Sequence, residues 1–185
     1  CENVIPNLDV NFLYVEGTNQ IQVVGQGSGG VDYAKPMSTE AIKAGSMKVE
    51  QYNAEIMAVS ERTGIPADRI KAIIVAESSG NAGAVSPMNA IGLMQLLPST
   101  AKEMDEKLFG GVNFRGLSET EIKNKLISNT KLNIELGAAY YSEALKKTGE
   151  NYDRASAYYN GGPKALLPSR DCPGLQAWQC TYDSS

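Results

Sequence analysis

Ile70, Ile73, Ile74 and Glu77 stand at i, i+3, i+4 and i+7, so the apolar stripe that must bury a helix here ends in a carboxylate. A chain with that pattern has to pack a helix along its Ile face and leave an acid at the margin of the core. Gly64-Ile65-Pro66 interrupts the preceding helical stretch, Pro66 suits the first turn of the next, and Gly80 with Asn81 supplies a stop. A helix from Ala67 to about Ser79 is therefore predicted. Partial burial and the negative end of that helix both disfavour the charged form of Glu77. A carboxyl kept protonated near neutral pH is what a general acid requires. From these residues alone a second reading stays open, in which Glu77 pairs with a base or reaches water at the helix end.

The residue census narrows the chemistry. The 185-residue chain contains no His, which removes Ser-His-Asp and Cys-His nucleophile systems and leaves no expectation of a zinc site, another metal or a cofactor. Acid–base work must fall to carboxylates, Tyr or Lys. After Glu77 the next acidic residue is Glu103, so the polar, Gly-containing stretch between them carries a lone carboxylate. A net charge of -4 argues against nucleic acid as a partner.

Residues 1–38 read differently from the remainder. Val10–Val15 and Gln20–Val24 are short β-prone runs that predict a hairpin or two extended segments, and Gly25–Gly30 reads as a flexible linker. Residues 39–185 form the expected helical domain with a cysteine-bearing tail. One helix is expected from Ser38 to about Arg62, others from Pro98 to about Leu108, from Ser118 to about Ile127, from Lys131 to about Thr148, and from Tyr152 to about Tyr159. Ser118-Glu119-Thr120-Glu121 has the form of a capping box. Ile134, Gly137, Ala138 and Tyr141 give an inward stripe, and Gly137 inside a helix, costing roughly 1 kcal/mol against Ala, points to a close helix–helix approach. Gln95 sits inside the apolar run Leu93–Leu97, where a buried amide must bond to backbone or to something bound.

Cys172 and Cys180 lie in a Pro- and Gly-containing loop that can close on itself, and a disulfide there implies an oxidising compartment. Two free thiols are the alternative. Cys1 is open to three readings: a lipid-attachment cysteine that would bring the chain to a membrane, an arbitrary chain end, or a thiol paired elsewhere. The sequence holds no apolar run long enough to span a bilayer and no visible signal peptide, so any export signal is expected to have been removed already.

Four motifs then come in order: Glu77-Ser78 after the apolar helix; Gly92-Leu93-Met94-Gln95 with Pro98 behind it; Asn133-Ile134 with Gly137 and Tyr140; and Ala157-Tyr158-Tyr159-Asn160-Gly161-Gly162-Pro163. Together, over roughly residues 50–168, they resemble the lysozyme-like catalytic domain of bacterial soluble-type, family-1 lytic transglycosylases, which cleave peptidoglycan. The family's Ala-Tyr-Asn-Ala-Gly is met here with Gly161 in place of the second Ala. The resemblance implies a mostly α, lysozyme-like (goose-type or SLT) domain with a small N-terminal appendage. It implies Glu77 as the single catalytic acid and base, and Ser78 as a residue that orients it or contacts substrate. Gln95 and Tyr159 would bind the sugar, Met94 and Leu97 would shape the cleft, and Asn133 and Asn160 would be structural supports. The cleft is expected between the Glu77 helix and the Tyr159 turn.

The implied reaction breaks the bond between N-acetylmuramic acid and N-acetylglucosamine and leaves a 1,6-anhydro end, with the periplasm or cell envelope as the compartment and the extracellular space as the lesser alternative. An ordinary retaining glycosidase needs a second carboxylate roughly 5 Å away, and an inverting one roughly 6.5–9.5 Å away. Glu135 is the residue that keeps a hydrolytic, goose-type muramidase in play, although its helical position suits a surface or structural role. A third reading is a non-catalytic peptidoglycan-binding subunit. A role in a secretion or pilus assembly is suggested by size alone.

Overall fold

A computed structural model of the chain describes residues 12–14, 21–23, 38–168, 174 and 176. Phe12–Tyr14 (β1) and Ile21–Val23 (β2) pair antiparallel with Leu13 opposite Gln22. The Gly25–Gly30 linker, Cys1, Cys172 and Cys180 lie outside the described residues. Seven helices follow: α1 (Thr39–Val49), α2 (Asn53–Thr63), α3 (Ala67–Ser78), α4 (Pro98–Phe109), α5 (Glu119–Ser128), α6 (Thr130–Lys147) and α7 (Tyr152–Gly161). The architecture is mostly helical.

Local chemistry accounts for most helix starts. The Ser38 hydroxyl accepts the Ala41 N–H (3.2 Å) to cap α1, and Ser118 with Glu121 forms the full capping box of α5. Pro98 occupies the first turn of α4. Asn151 caps α7, and Asn129, which the sequence reading passed over, caps α6 through the Leu132 N–H (3.0 Å).

The single helix expected from Ser38 to Arg62 is in fact two, joined by a 3-10 turn at Glu50–Tyr52. The buried positions Ile42, Gly45, Val49, Ile56 and Val59 explain the break. With half-buried Tyr52 between them they recur at alternating three- and four-residue steps, a period of about 3.5 that a straight helix of 3.6 drifts away from. A tighter turn takes up that drift and keeps both halves against the core.

The core has two parts, and α6 belongs to both. Ile134, Ala138, Tyr141, Ala144 and Leu145 pack with α1, α2, α3 and α7, while Leu132, Leu136 and Ala139 pack with α4, α5, Ile91 and Leu96. The expected single inward stripe therefore understates α6, which is buried on most of its circumference through its middle.

The Gly110–Gly116 loop between α4 and α5 is anchored by one acid. Asp105 has no exposed surface, and its carboxylate accepts the Asn113 N–H (3.0 Å), the Asn113 amide (2.6 Å) and the Phe114 N–H (3.1 Å). Replacing it with Ala strands those donors inside the protein, so Asp105→Ala is expected to lower unfolding free energy by about 3 kcal/mol. Urea unfolding measures this; a change below about 0.5 kcal/mol, the range of an ordinary surface substitution, would show the anchor to be dispensable.

Candidate active site

The three Ile residues of the α3 stripe are buried as the spacing requires, and Glu77 is buried with them at 8% exposure. The helix ends one residue later through a left-handed turn at Ser79 (φ 51°) and Gly80 (φ 74°). The stop expected at Gly80 and Asn81 thus begins at Ser79, a residue that adopts this conformation less readily than Gly. Among the described residues the Glu77 carboxyl has no hydrogen-bond or ion-pair partner. Burial alone pushes its pKa up to about 8, and the helix C-terminus favours the same neutral form.

Facing α3 is the turn Gly92–Leu96, closed by the antiparallel bridges Val85–Ile91 and Ile91–Leu96. The side chain of Asn133 on α6 holds this turn. Its Oδ1 accepts the Met94 N–H (2.9 Å) and its Nδ2 donates to the Ile91 carbonyl (3.0 Å), so the buried amide bonds to backbone through both ends. Gly92, at φ 79°, lies so close that a Cβ would sit 2.3 Å from Asn133 Nδ2. One turn along α6, a Cβ on Gly137 would meet Met94 Sδ at 2.4 Å and Met94 Cβ at 2.7 Å. The close approach signalled by Gly137 is therefore to this turn, and the expected helix–helix contact is not what requires the glycine.

The sequence-predicted residues divide into two groups. Gln95, Leu97, Tyr159 and Asn160 come together around an open hollow of about 230 Å³, with Thr100 and Tyr140 on the same wall. Gln95 has a left-handed backbone (φ 46°), and its Nε2 donates to the carbonyls of Gly92 (3.0 Å) and Ala84 (3.3 Å). Those bonds hold a strained residue in place and tie the hollow to the loop after Glu77. The Tyr159 hydroxyl donates to the Met94 carbonyl (2.8 Å), which links α7 to the turn. Burial, then the nearby Glu77 carboxyl, raises the Tyr159 pKa well above the usual tyrosine range.

Glu77, Ser78, Met94 and Asn133 do not line this hollow. Met94 is fully buried and shapes the hollow from behind, without lining it. Ser78 donates its hydroxyl to the Ile74 carbonyl (3.1 Å) and makes no bond to Glu77. A Ser in the last turn of a helix has the carbonyl four residues back within reach, and that local partner takes its proton. The Asn160 amide likewise donates to the Ser156 carbonyl (2.9 Å).

Tyr140 is the residue whose place at the site was not read from sequence. Its ring lies 5.2 Å from that of Tyr159, and burial, followed by Tyr158, Glu103 and Glu143, pushes its pKa up to about 12. The steps Asn133, Gly137, Tyr140 share one helical face, and that spacing was the available signal. Glu135 lies two residues from Asn133, hence about 200° around α6, and is ion-paired with Arg62. A lone carboxyl held neutral can give a proton to a bound oxygen and, once ionised, take one back.

The family model described as Transglycosylase SLT domain matches residues 55–171. Among curated proteins, the endo-type membrane-bound lytic murein transglycosylase A of Salmonella paratyphi B and that of Salmonella typhimurium are each 38% identical over 103 residues. The match covers 49% of this chain and 47% of each relative, so the chain spans about half their length. Among solved structures, an inactive Glu-to-Gln mutant of the lytic transglycosylase Slt from Pseudomonas aeruginosa superposes with a TM-score of 0.52 at 36% identity. That match covers 64% of this chain and 18% of the Pseudomonas protein.

The burial of Glu77 has a consequence for stability. The folded chain keeps the Glu77 proton up to about pH 8, whereas an unperturbed Glu releases it near 4.5. The stabilisation it contributes is complete below about pH 4.5 and is lost as pH rises towards 8, by up to about 1.4 kcal/mol per pH unit. Glu77→Gln keeps the shape and cannot ionise. Its stability relative to the wild type should therefore rise between pH 5 and pH 8 in urea unfolding; parallel pH profiles for the two proteins would contradict a neutral buried acid.

Proposed function

The chain belongs to the transglycosylase SLT domain family, and from that membership we propose that it is a lytic transglycosylase of murein in which Glu77 is both acid and base. The observation that carries the reading is the isolation of Glu77: buried, neutral at neutral pH, and without a second carboxylate beside it among the described residues. The relatives that match are named as lytic murein transglycosylases, which supports the same substrate here.

In the proposed reaction the protonated Glu77 carboxyl gives its proton to the oxygen linking N-acetylmuramic acid to N-acetylglucosamine, and the C1–O bond breaks. The acetamido group of the muramic sugar stabilises the oxocarbenium-like centre. Glu77, now ionised, takes the proton of the same sugar's C6 hydroxyl as that oxygen bonds to C1. The acid is restored, no water is consumed, and the product ends in a 1,6-anhydro ring. Gln95 and Tyr159 hold the sugar at this point, Leu97 borders it, and Met94 offers its carbonyl to keep Tyr159 in position. A carboxyl with a pKa of about 8 is mostly protonated at pH 7, which suits the first step.

Hydrolysis by the same fold would need a base for water. The pairing of Glu135 with Arg62 on another face of α6 favours the intramolecular route. The two Salmonella relatives are named as membrane-bound, and among the described residues no helix is long and apolar enough to cross a membrane. A location in the cell envelope follows from the proposed substrate.

Purified sacculi incubated with the protein should release muropeptides with anhydro ends, identified by mass spectrometry as lighter by one water than reducing-end products. Glu77→Gln should lower release by roughly 10²–10⁴-fold while leaving the circular dichroism spectrum and sacculus binding intact. Reducing ends from the wild type would replace the transglycosylase with a muramidase, and binding without release would leave a non-catalytic subunit.

A further inference from the structure

α7 ends at Gly161, and the chain turns at once into a short 3-10 helix over Gly162–Leu166. The two glycines at this junction are needed for different reasons. Gly162 has φ 61° and ψ -159°, a region that only glycine enters freely, and its N–H caps α7 by donating to the Tyr158 carbonyl. Gly161 has φ -107° and ψ 1°, a turn conformation open to residues with a side chain. Its backbone therefore does not require glycine, and Ala, the residue of the family motif, would favour the end of the helix. What excludes a side chain is the neighbouring turn, because a Cβ on Gly161 would sit 2.9 Å from the Ala165 Cβ. A methyl bonded directly to the backbone cannot swing aside. Relief to an ordinary contact of 3.4 Å requires the turn itself to move by about half an ångström.

That turn is a wall of the sugar hollow. Gly161 and Gly162 border the hollow next to Tyr159 and Asn160, and without side chains they bound it with bare backbone. Leu97, Thr100 and Tyr140 bring side chains to the same hollow. The far end of the turn is anchored, since Leu166 packs against the larger core cluster and the Leu167 N–H donates to the Lys164 carbonyl (3.2 Å). Pro163 fixes a torsion between the two ends. With Leu166 held, a displacement at Ala165 passes back towards Gly162 and the wall.

We propose that Gly161 is a positioning residue for glycan binding: by leaving room for Ala165 it seats the Gly162–Leu166 turn against α7, and the seated turn gives the hollow its backbone wall. The inference rests on the murein substrate proposed above. Its effect falls on holding the strand and not on proton transfer, because neither glycine has an ionisable group and Glu77 does not line this hollow. Positions 161 and 165 are coupled, since the junction holds one methyl group and not two.

The test uses the full chain and separates binding from turnover. In the Glu77→Gln background, sacculus binding is measured by pelleting with and without Gly161→Ala. Affinity is expected to fall about 10-fold, the scale of a half-ångström misplacement of a binding wall. Adding Ala165→Gly removes the second methyl and should restore affinity to within about 2-fold of the starting protein. With Glu77 intact, Gly161→Ala should raise KM on soluble glycan strands about 10-fold and leave kcat within about 2-fold. Ala165→Val crowds the same junction from the turn side and should weaken binding in the same way, which keeps the test open if Gly161→Ala fails to fold. Unchanged affinity in both crowded variants would overturn the proposal. So would a loss in Gly161→Ala that Ala165→Gly does not restore, or a fall in kcat with KM unchanged. A wild type that binds sacculi and releases no muropeptides would defeat the Glu77 chemistry and leave the binding comparison standing. Unchanged binding in the crowded variants would defeat the role of Gly161 and leave the Glu77 chemistry standing.

Discussion

The two hydrogen bonds of the Asn133 amide hold the candidate site together. They pin the Gly92–Leu96 turn to the helix that both halves of the core share. A primary amide without exposed surface is costly to bury unless its oxygen and nitrogen both find partners. Here backbone groups on either side of Gly92 supply them. The fit demands a residue without a side chain at Gly92, and a second at Gly137 so that Met94 can lie flat on α6. Once Met94 is seated, its carbonyl faces the Tyr159 hydroxyl, and α7 is drawn to the turn. The relative placement of α6, α7 and the turn is therefore over-determined by short-range contacts between a few residues. It does not rest on the general adhesion of apolar surfaces, which would allow sliding.

That rigidity lets the fold carry an acid in an unfavourable place. Glu77 receives no compensating hydrogen bond among the described residues, so its burial is uncompensated and its neutral form is the result. Most folds would relax by turning such a side chain to water. In this one the Ile residues of α3 are locked in the larger core cluster, and the left-handed turn at Ser79 and Gly80 ends the helix directly behind the acid. Stability given up at a single position is matched by a carboxyl able to donate at neutral pH, the exchange expected where function competes with stability.

What the residues disclose in advance follows from how locally each feature is determined. The Ile stripe, the Ser118 capping box and Pro98 depend on neighbours within one or two turns, and each formed where its spacing requires. The family motifs led to Gln95, Leu97, Tyr159 and Asn160, which do meet around one hollow. Features set by distant parts of the chain were not legible. The positive φ of Gln95 is imposed by bonds to Gly92 and Ala84, and nothing in Gln itself signals it. The burial of Met94 depends on Gly137, more than forty residues on. The Ser78 hydroxyl had two available uses, and only the coordinates distinguish the bond to Ile74 from one to Glu77. The break at Glu50–Tyr52 turned on a small mismatch between 3.5 and 3.6 residues per turn, below what propensity reasoning resolves.

The two faces of α6 give the molecule its division of labour. Asn133, Gly137 and Tyr140 look to the turn, the hollow and Tyr159, whereas Glu135, Ala139 and Lys146 look to the groove against α2 and α4. A helix three to four residues per turn cannot present one residue to both sides, so substitutions on one face leave the other's contacts intact. Lys107 is paired with Glu143, which borders the groove and also helps to raise the pKa of the Tyr140 hydroxyl. Surface ion pairs of this kind are weak and readily exchanged.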